Sequence, residues 1–237
     1  MGMPITVEVV GRTTAGDLGA VFKYFRSVDK RFSTYKPDSE ISQVNRGLPK
    51  AKWSPDMKLV LDLCEQTSRL TNGYFDIKRQ GQLDPSGLVK GWAINNASHL
   101  LLDKGHRNFY IEAGGDIQAN GTNTDGDAWA VGIRNPFNTQ EIIKAIKLVD
   151  GGIATSGTYI RGQHIYDPRN SGQAINSVKS LTVIGSSVYE ADRYATAAFA
   201  MGLEGIGFIE QTPGLEGYMV DANQVATLTT GFERYVV

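Results

Sequence analysis

The sequence predicts an α+β fold, with mixed or antiparallel sheets and helices packed on them. Two observations carry that prediction. Alternating strands come as hairpins, one across Gly114-Gly115 and one across the turn-rich stretch Arg134 to Thr139. Helical periodicity appears in a few long stretches that do not alternate regularly with the strands, which argues against a doubly wound parallel sheet. With 237 residues, no clear linker and no low-complexity segment, the expectation is one domain over 1–237. Two intertwined α+β halves are the alternative, because a strand-then-helix order with a glycine turn precedes both Leu88 and Ser187.

Taken in order, Ile5 to Val10 alternates as a strand. Thr14 to Tyr35 repeats Leu18, Val21, Phe22, Phe25, Val28 and Phe32 at helical spacing, and Asp17 near its start suits the helix dipole. Pro37 breaks that helix, and Ser33 to Gly47 reads as a polar loop in which Asp38 or Ser39 caps a short turn. Ser54-Pro55 opens a helix to about Leu70 with Leu59, Leu61, Leu63 and Cys64 inward. Phe75 to Ile77 is strand-like, and the tight turn Leu83 to Gly87 leads into a helix from Leu88 to Lys104. Asn108 to Ile111 and Ile117 to Asn120 are strands, as are Trp129 to Ile133 with Ile142 to Leu148. Leu181 to Ile184 is a strand feeding the helix Ser187 to Gly202. Gly207 to Phe208, Gly217 to Val220 and Val225 to Thr230 finish the chain as strands and turns.

The helix SVYEADRYATAAFAMG is the stretch that organises the rest. Ser187 and Glu190 have capping-box spacing, and Gly202 supplies a left-handed stop. Its alanines allow close approach of a neighbour. Asp192 and Thr196 stand one turn apart on one face, offering two hard oxygens to a Mg²⁺ ion. The other reading is a solvated acid beside a threonine bonded to its own helix. Lys90, just after a glycine turn, reads either as a phosphate ligand at a helix N-terminus or as a surface lysine. Gly114-Gly115 is either a plain turn or a place where a flat ligand comes close. Thr155 and Ser156 beside Gly157 suggest an N–H-rich nest for phosphate. His164, in the strand-like HIYDP run, is a catalyst or a packing residue.

Bulk composition narrows the partners. Hydrophobic content is 41%, charged content 21% and net charge −1, so nothing argues for a nucleic-acid or anionic-membrane surface. One cysteine, Cys64, excludes a disulfide framework or a cysteine zinc cage and reads as a small buried residue. No run is apolar enough to span a bilayer. The start MGMPITVEVVG lacks the charged and apolar regions of a signal peptide, so the expectation is a cytoplasmic chain; a periplasmic one is the alternative if an export or lipoprotein segment was removed.

Five stretches together resemble the ApbE family of FAD:protein FMN transferases: STYKPDSEISQVNRG, LDPSGLVKGWAI, NFYIEAGGDIQANG, GGIATSGTYIRGQHIYDPRNSG and LTVIGSSVYEADRYATAAFAMG. They occur in the family's order and span nearly the whole chain. The resemblance implies a fold related to the T-fold, FAD as donor, Mg²⁺ on its diphosphate, and transfer of FMN to a Thr or Ser hydroxyl of an acceptor protein with release of AMP. It implies Asp192, Thr196 and the carbonyl of Gly87 as metal ligands. Lys90 corresponds to the family's diphosphate lysine, and Tyr35, Ser39 and Asn45 to its flavin-side loop. Gly114, Gly115 and Asp116 match the turn lining the nucleotide, Thr155 and Ser156 the small-hydroxyl loop, and His164 and Asp167 the motif near the transferred phosphate. Asp192, Lys90 and His164 are then the catalytic candidates, with His164 assisting proton transfer.

The chain departs from that family's pattern in three places. An insertion between the FD motif and the next turn is missing, since only Ile77 to Gln82 separates Phe75-Asp76 from Leu83. The glycine-rich turn reads Asp84-Pro85-Ser86-Gly87, and the N-terminal hydroxyl is replaced in Met1-Gly2-Met3. A reshaped wall keeps two other functions in view: an FAD diphosphatase giving FMN and AMP, and a non-catalytic FAD-binding protein. Family acceptors carry D-x-x-[ST], and no aspartate of this chain is followed by Ser or Thr at that spacing, so the chain is not its own acceptor.

Overall fold

The computed structural model describes residues 2–79, 81–158, 165–170 and 173–237. Strand β1 (Ile5–Val9) leads to helix α1 (Ala15–Phe32). Asp17 does more there than face the dipole. Its N–H donates to the Thr14 hydroxyl at 3.2 Å while its carboxylate accepts the Thr14 N–H at 3.1 Å, a reciprocal cap that satisfies two orphan donors. Helix α1 buries Val21, Phe25, Val28 and Phe32, the i, i+4, i+7, i+11 stripe.

The stretch read as a loop contains a helix of its own, α2 (Glu40–Asn45), and of the two capping candidates Ser39 is the one that caps it. Helix α3 (Pro55–Leu70) starts on the Ser54 cap with proline in its first turn, where a missing N–H is harmless. Its buried stripe is Met57, Val60, Cys64 and Thr67. Leu59 is instead 48% exposed and Leu61 and Leu63 are only half-buried, because a stripe set by Met57 rotates them off the core. Burial pushes the Cys64 thiol up to about 12, which leaves it inert.

The strand expected at Phe75 to Ile77 lies further on: β2 (Lys78–Arg79) and β3 (Gln82–Leu83) make a short hairpin, while Phe75 is a core residue. Helix α4 (Ser86–Asp103) follows, buried on nearly every side, with Trp92 edge-on to Phe32 of α1 at 5.8 Å. Strands β4 (Phe109–Ala113) and β5 (Asp116–Asn120) turn through Gly114 and Gly115, both at positive φ, which a two-residue hairpin of this hand requires.

Strands β6 (Trp129–Arg134) and β7 (Ile142–Leu148) pair as expected. Then come β8 (Gly151–Gly157), the ribbon β9 (Tyr166–Asp167) with β10 (Gln173–Ala174), and β11 (Val178–Gly185). Helix α5 (Val188–Ala200) ends at Gly202, whose φ is positive. The residues read as a strand at Gly207 to Phe208 form helix α6 (Gly205–Glu210): a Cβ at Gly205 would lie 1.9 Å from the Ala198 carbonyl, so glycine is what lets this turn sit against α5. Strands β12 (Glu216–Asp221) and β13 (Ala226–Leu228) close the order.

Seven strands form one sheet in the order β1-β4-β5-β8-β11-β12-β13, every ladder antiparallel. The fold is therefore α+β. Period-two alternation sorts its two faces. Phe109, Ile111 and Ala113 join the core of α1 to α4, while Ala154, Leu181, Val183 and Met219 join α5 and α6. On the opposite face Ala119, Ile153, Ile184 and Tyr218 pack under the β6–β7 ribbon and Phe232. Each fully buried Phe, Leu or Ile is worth about 1.5–3 kcal/mol, so helices and sheet are fixed against one another. No described helix is long and apolar enough to cross a membrane.

Candidate functional site

Helices α4 and α5 meet at a seam built on glycine. A Cβ at Gly91 would lie 2.6 Å from the Val188 carbonyl and 2.7 Å from the Asp192 Cβ, closer than such atoms approach. Its bare N–H instead donates to Asp192 Oδ2 at 2.7 Å. One turn along each helix, the Thr196 hydroxyl donates to the Gly87 carbonyl at 3.2 Å. A Cβ at Gly87 would press on both Thr196 and Phe75. Asp192 is thus no surface acid: it is 4% exposed.

The sheet supplies the third wall. Asp116, the first residue of β5, is fully buried, and its Oδ1 accepts the Thr155 N–H of β8 at 3.2 Å, continuing the ladder where the β5 main chain has turned away. Its Oδ2 pairs with the Lys90 ammonium at 2.6 Å, and Lys90 lies 3.9 Å from Asp192 Oδ1. Two carboxylates therefore share one ammonium in a buried seam. Burial pushes Asp192 up to about 7, opposed by Lys90, reinforced by the neighbouring Asp116 charge and opposed again by the Gly91 N–H. A carboxylate, a hydroxyl and a main-chain carbonyl converging beside surplus negative charge are hard oxygen donors, and they fit a hard divalent cation.

The family model for "ApbE family" matches residues 1–80 and 77–219. The chain belongs to the ApbE family. The Vibrio cholerae FAD:protein FMN transferase is 35% identical over 131 residues, which is 52% of this chain and 39% of that protein; the chain spans about two fifths of that relative's length. Among solved structures, the flavin transferase ApbE from Vibrio cholerae superposes with a TM-score of 0.88 at 23% identity, covering 99% of this chain and 96% of that one. The ApbE protein from Thermotoga maritima gives 0.85 at 21% identity, over 98% and 95%. At such identities the likeness is one of fold.

On this ApbE fold, the structure brings Gly87, Lys90, Asp116, Asp192 and Thr196 together at one seam. Two details differ from the sequence reading. Helix α4 begins at Ser86, so Gly87 lies inside its first turn and Lys90 in the second; what balances the lysine is a pair of acids. Thr155 and Ser156 belong to strand β8, whose extended backbone is not a nest. Alternation there puts them on opposite faces: Ser156 points with Ala154 to the helices, and the Thr155 hydroxyl bonds Thr182 at 2.8 Å on the other side.

The remaining candidates lie on other elements. Tyr35 is 96% exposed just beyond α1. The Ser39 hydroxyl accepts the Ser42 N–H at 3.2 Å as the α2 cap. The Asn45 amide donates to the Leu83 carbonyl at 3.0 Å and accepts the Leu83 N–H at 2.8 Å, tying α2 to β3. Gly114 and Gly115 form the β4–β5 turn, and the Gly115 N–H is held by Glu112 at 2.7 Å. Asp167 lies half-buried in β9 and caps its own turn through the Arg169 N–H at 2.9 Å. His164 lies outside the described residues.

Sequence reasoning missed three residues that hold the seam. Gly91 is one, and a glycine inside a strongly helical run was a readable signal of close approach. Gln118 is another: from β5 its carbonyl accepts the Val188 N–H at 2.8 Å, at the first residue of α5, and its amide donates to the Gly151 carbonyl at 3.0 Å. Arg193, also buried, is the third. It takes the Glu190 carboxylate that capping-box spacing had reserved for the helix start, and it donates to the Thr67 hydroxyl at 3.1 Å. Nothing in spacing announces Gln118 or the Arg193 bond to Thr67, because both depend on contacts between distant elements.

Proposed function

We propose that this chain transfers the FMN half of FAD to a serine or threonine hydroxyl of an acceptor protein bearing a D-x-x-[ST] motif, releasing AMP, with Mg²⁺ as its metal. The observation that carries the reading is Asp192, a buried carboxylate in a glycine-built seam with a second acid and a hydroxyl beside it. Membership of the ApbE family and the name of the Vibrio cholerae relative support it. Asp192, Thr196 and the Gly87 carbonyl would hold the ion. When bound, it supplies neutralisation of charge on the diphosphate oxygens.

The chain's own groups do the rest. In the transfer the acceptor oxygen bonds the FMN-side phosphorus, the bridging P–O bond breaks, and AMP leaves with the bond pair. Lys90 stands next to Asp192 on a lysine stem fixed by Asp116, so its ammonium is oriented before any phosphate arrives. The Gly91 N–H orients the Asp192 carboxylate, and the buried packing of α4 on α5 keeps water from the acids. We assign the acceptor's proton to His164 on its sequence motif.

The test is incubation with FAD, Mg²⁺ and a peptide carrying the acceptor motif, read by mass spectrometry. A peptide heavier by FMN, with stoichiometric AMP, is the expected result, and Asp192→Ala should reduce it by about 10²–10³-fold, the several kcal/mol a metal site contributes. AMP with free FMN, whether or not peptide is present, would mean a diphosphatase. FAD bound and returned intact would mean a binding protein.

A further inference from the structure

We propose that Arg79 and Arg169 are positioning residues, whose crossed stacks on Tyr166 and Tyr74 fasten the β9 turn to the hairpin that leads into the α4–α5 seam. The Arg79 guanidinium lies 4.5 Å from the centroid of the Tyr166 ring and also donates to the Tyr166 hydroxyl at 2.9 Å. The Arg169 guanidinium lies 4.8 Å from the centroid of the Tyr74 ring. One arginine reaches from the hairpin to the β9 turn, the other from that turn back to the residue before Phe75. Each side therefore contributes one cation and one ring.

The clasp has work to do because β9 and β10 form a two-stranded ribbon outside the seven-stranded sheet. Two short strands alone are marginal in water, so side chains must hold them. The hairpin on the other side is itself anchored. Leu83 is bonded in both directions to Asn45, the Asp84 N–H reaches the Ile77 carbonyl at 2.7 Å, and the Asp84 carboxylate takes the Ser86 N–H at 3.0 Å where α4 begins. Tyr74 adjoins Phe75, whose ring borders Gly87. Fastening the β9 turn to these residues places Asp167 at a fixed distance from Gly87 and its seam. Planar guanidinium is suited to the task, since it stacks flat on a ring while its edge still donates.

This rests on the function proposed above, so its test has one arm that needs no turnover. In amide hydrogen exchange on the full chain, Arg79→Ala combined with Arg169→Ala should speed exchange of the hydrogen-bonded Asn170 and Gln173 amides by about tenfold, one order per 1.4 kcal/mol lost. Amides of α4 and β5 should be unchanged. In the second arm, FAD cleavage by Arg79→Ala should fall about 5–10-fold in kcat with the FAD dissociation constant moved less than twofold. Tyr166→Phe, which keeps the ring, should retain most of the rate, and Arg79→Lys should recover part of it. Unchanged exchange at Asn170 and Gln173 overturns the clasp. Faster exchange with unchanged kcat overturns the positioning role. A wild-type chain that never cleaves FAD, with exchange still accelerated in the variant, condemns the proposed function and leaves the clasp standing.

Discussion

The seam between α4 and α5 and the approach made by residues 35–47 both carry site candidates, yet they are built by opposite means. At the seam the functional groups are buried, and their charges are held by backbone and by each other: Asp192 by the Gly91 N–H, Asp116 by Thr155 and Lys90. In the approach, Ser39 and Asn45 spend their polar atoms on local structure, and Tyr35 stands in solvent. Burying acids costs folding energy that Lys90 and the Gly91 N–H return only in part, whereas an exposed ring costs nothing until a ligand covers it. The seam is therefore where stability and binding are opposed, and the approach is where they are independent.

The largest expected effect follows from that opposition. Asp192 sits at about 7 against an ordinary 3.8, chiefly because it is buried. A raised carboxylate pKa means the folded chain holds its proton more tightly than the unfolded one. Its favourable contribution is complete below pH 4 and drains away as pH rises to about 7, by something on the order of 4 kcal/mol. In divalent-free buffer the urea midpoint of the wild type should fall across that window, and Asp192→Asn should lack this part of the fall. Above pH 7, Mg²⁺ should raise the wild-type midpoint with the logarithm of its concentration and leave the Asn variant alone. Parallel pH profiles for the two proteins would show that the seam does not strain this acid.

Gly91→Ala comes next. The added methyl has no space beside the Val188 carbonyl and the Asp192 Cβ, so the helices must part. Overpacking of this kind costs about 1–3 kcal/mol, or roughly 3–10 °C in melting temperature at this chain length. FAD cleavage should fall together with stability, because parting the helices also removes the N–H that orients Asp192. A variant that melts normally but is inactive, or the reverse, would uncouple the two and break the contrast with the approach.

How much of this was legible beforehand divides along the same line. The helices bounded by Ser54, Ser187 and Gly202 and the β4–β5 turn were readable because each depends on neighbours in sequence. The fold class followed from hairpins and irregular alternation. The β8 strand was misread as a glycine nest because GGIATSG is glycine-rich for a non-local reason: a Cβ at Gly152 would lie 1.8 Å from the Val188 nitrogen, so the strand must be bare where α5 starts above it. Lys90 was legible as misplaced, but its partners Asp116 and Asp192 were not, since they lie 26 and 102 positions away on other elements.

The smallest effects belong to the approach, and they separate its two kinds of residue. Asn45→Ala removes both bonds to the Leu83 main chain and leaves a half-buried N–H and carbonyl unmatched, which should lower stability by about 1–2 kcal/mol. Tyr35→Ala removes a ring that touches little, so its stability should stay within about 0.5 kcal/mol of the wild type. If that ring stacks on the flavin, its loss should weaken FAD binding about 2–10-fold, the 0.5–1.5 kcal/mol of an aromatic stack. Fluorescence quenching of FAD on titration with protein measures that constant directly. Unaltered affinity in the Tyr35 variant would remove it from the flavin site, and the approach would then reduce to Asn45 and Ser39 holding the hairpin in place. A loss of both affinity and stability would mean that Tyr35 supports the fold, and the division between an opposed seam and an independent approach would fail at its clearest residue.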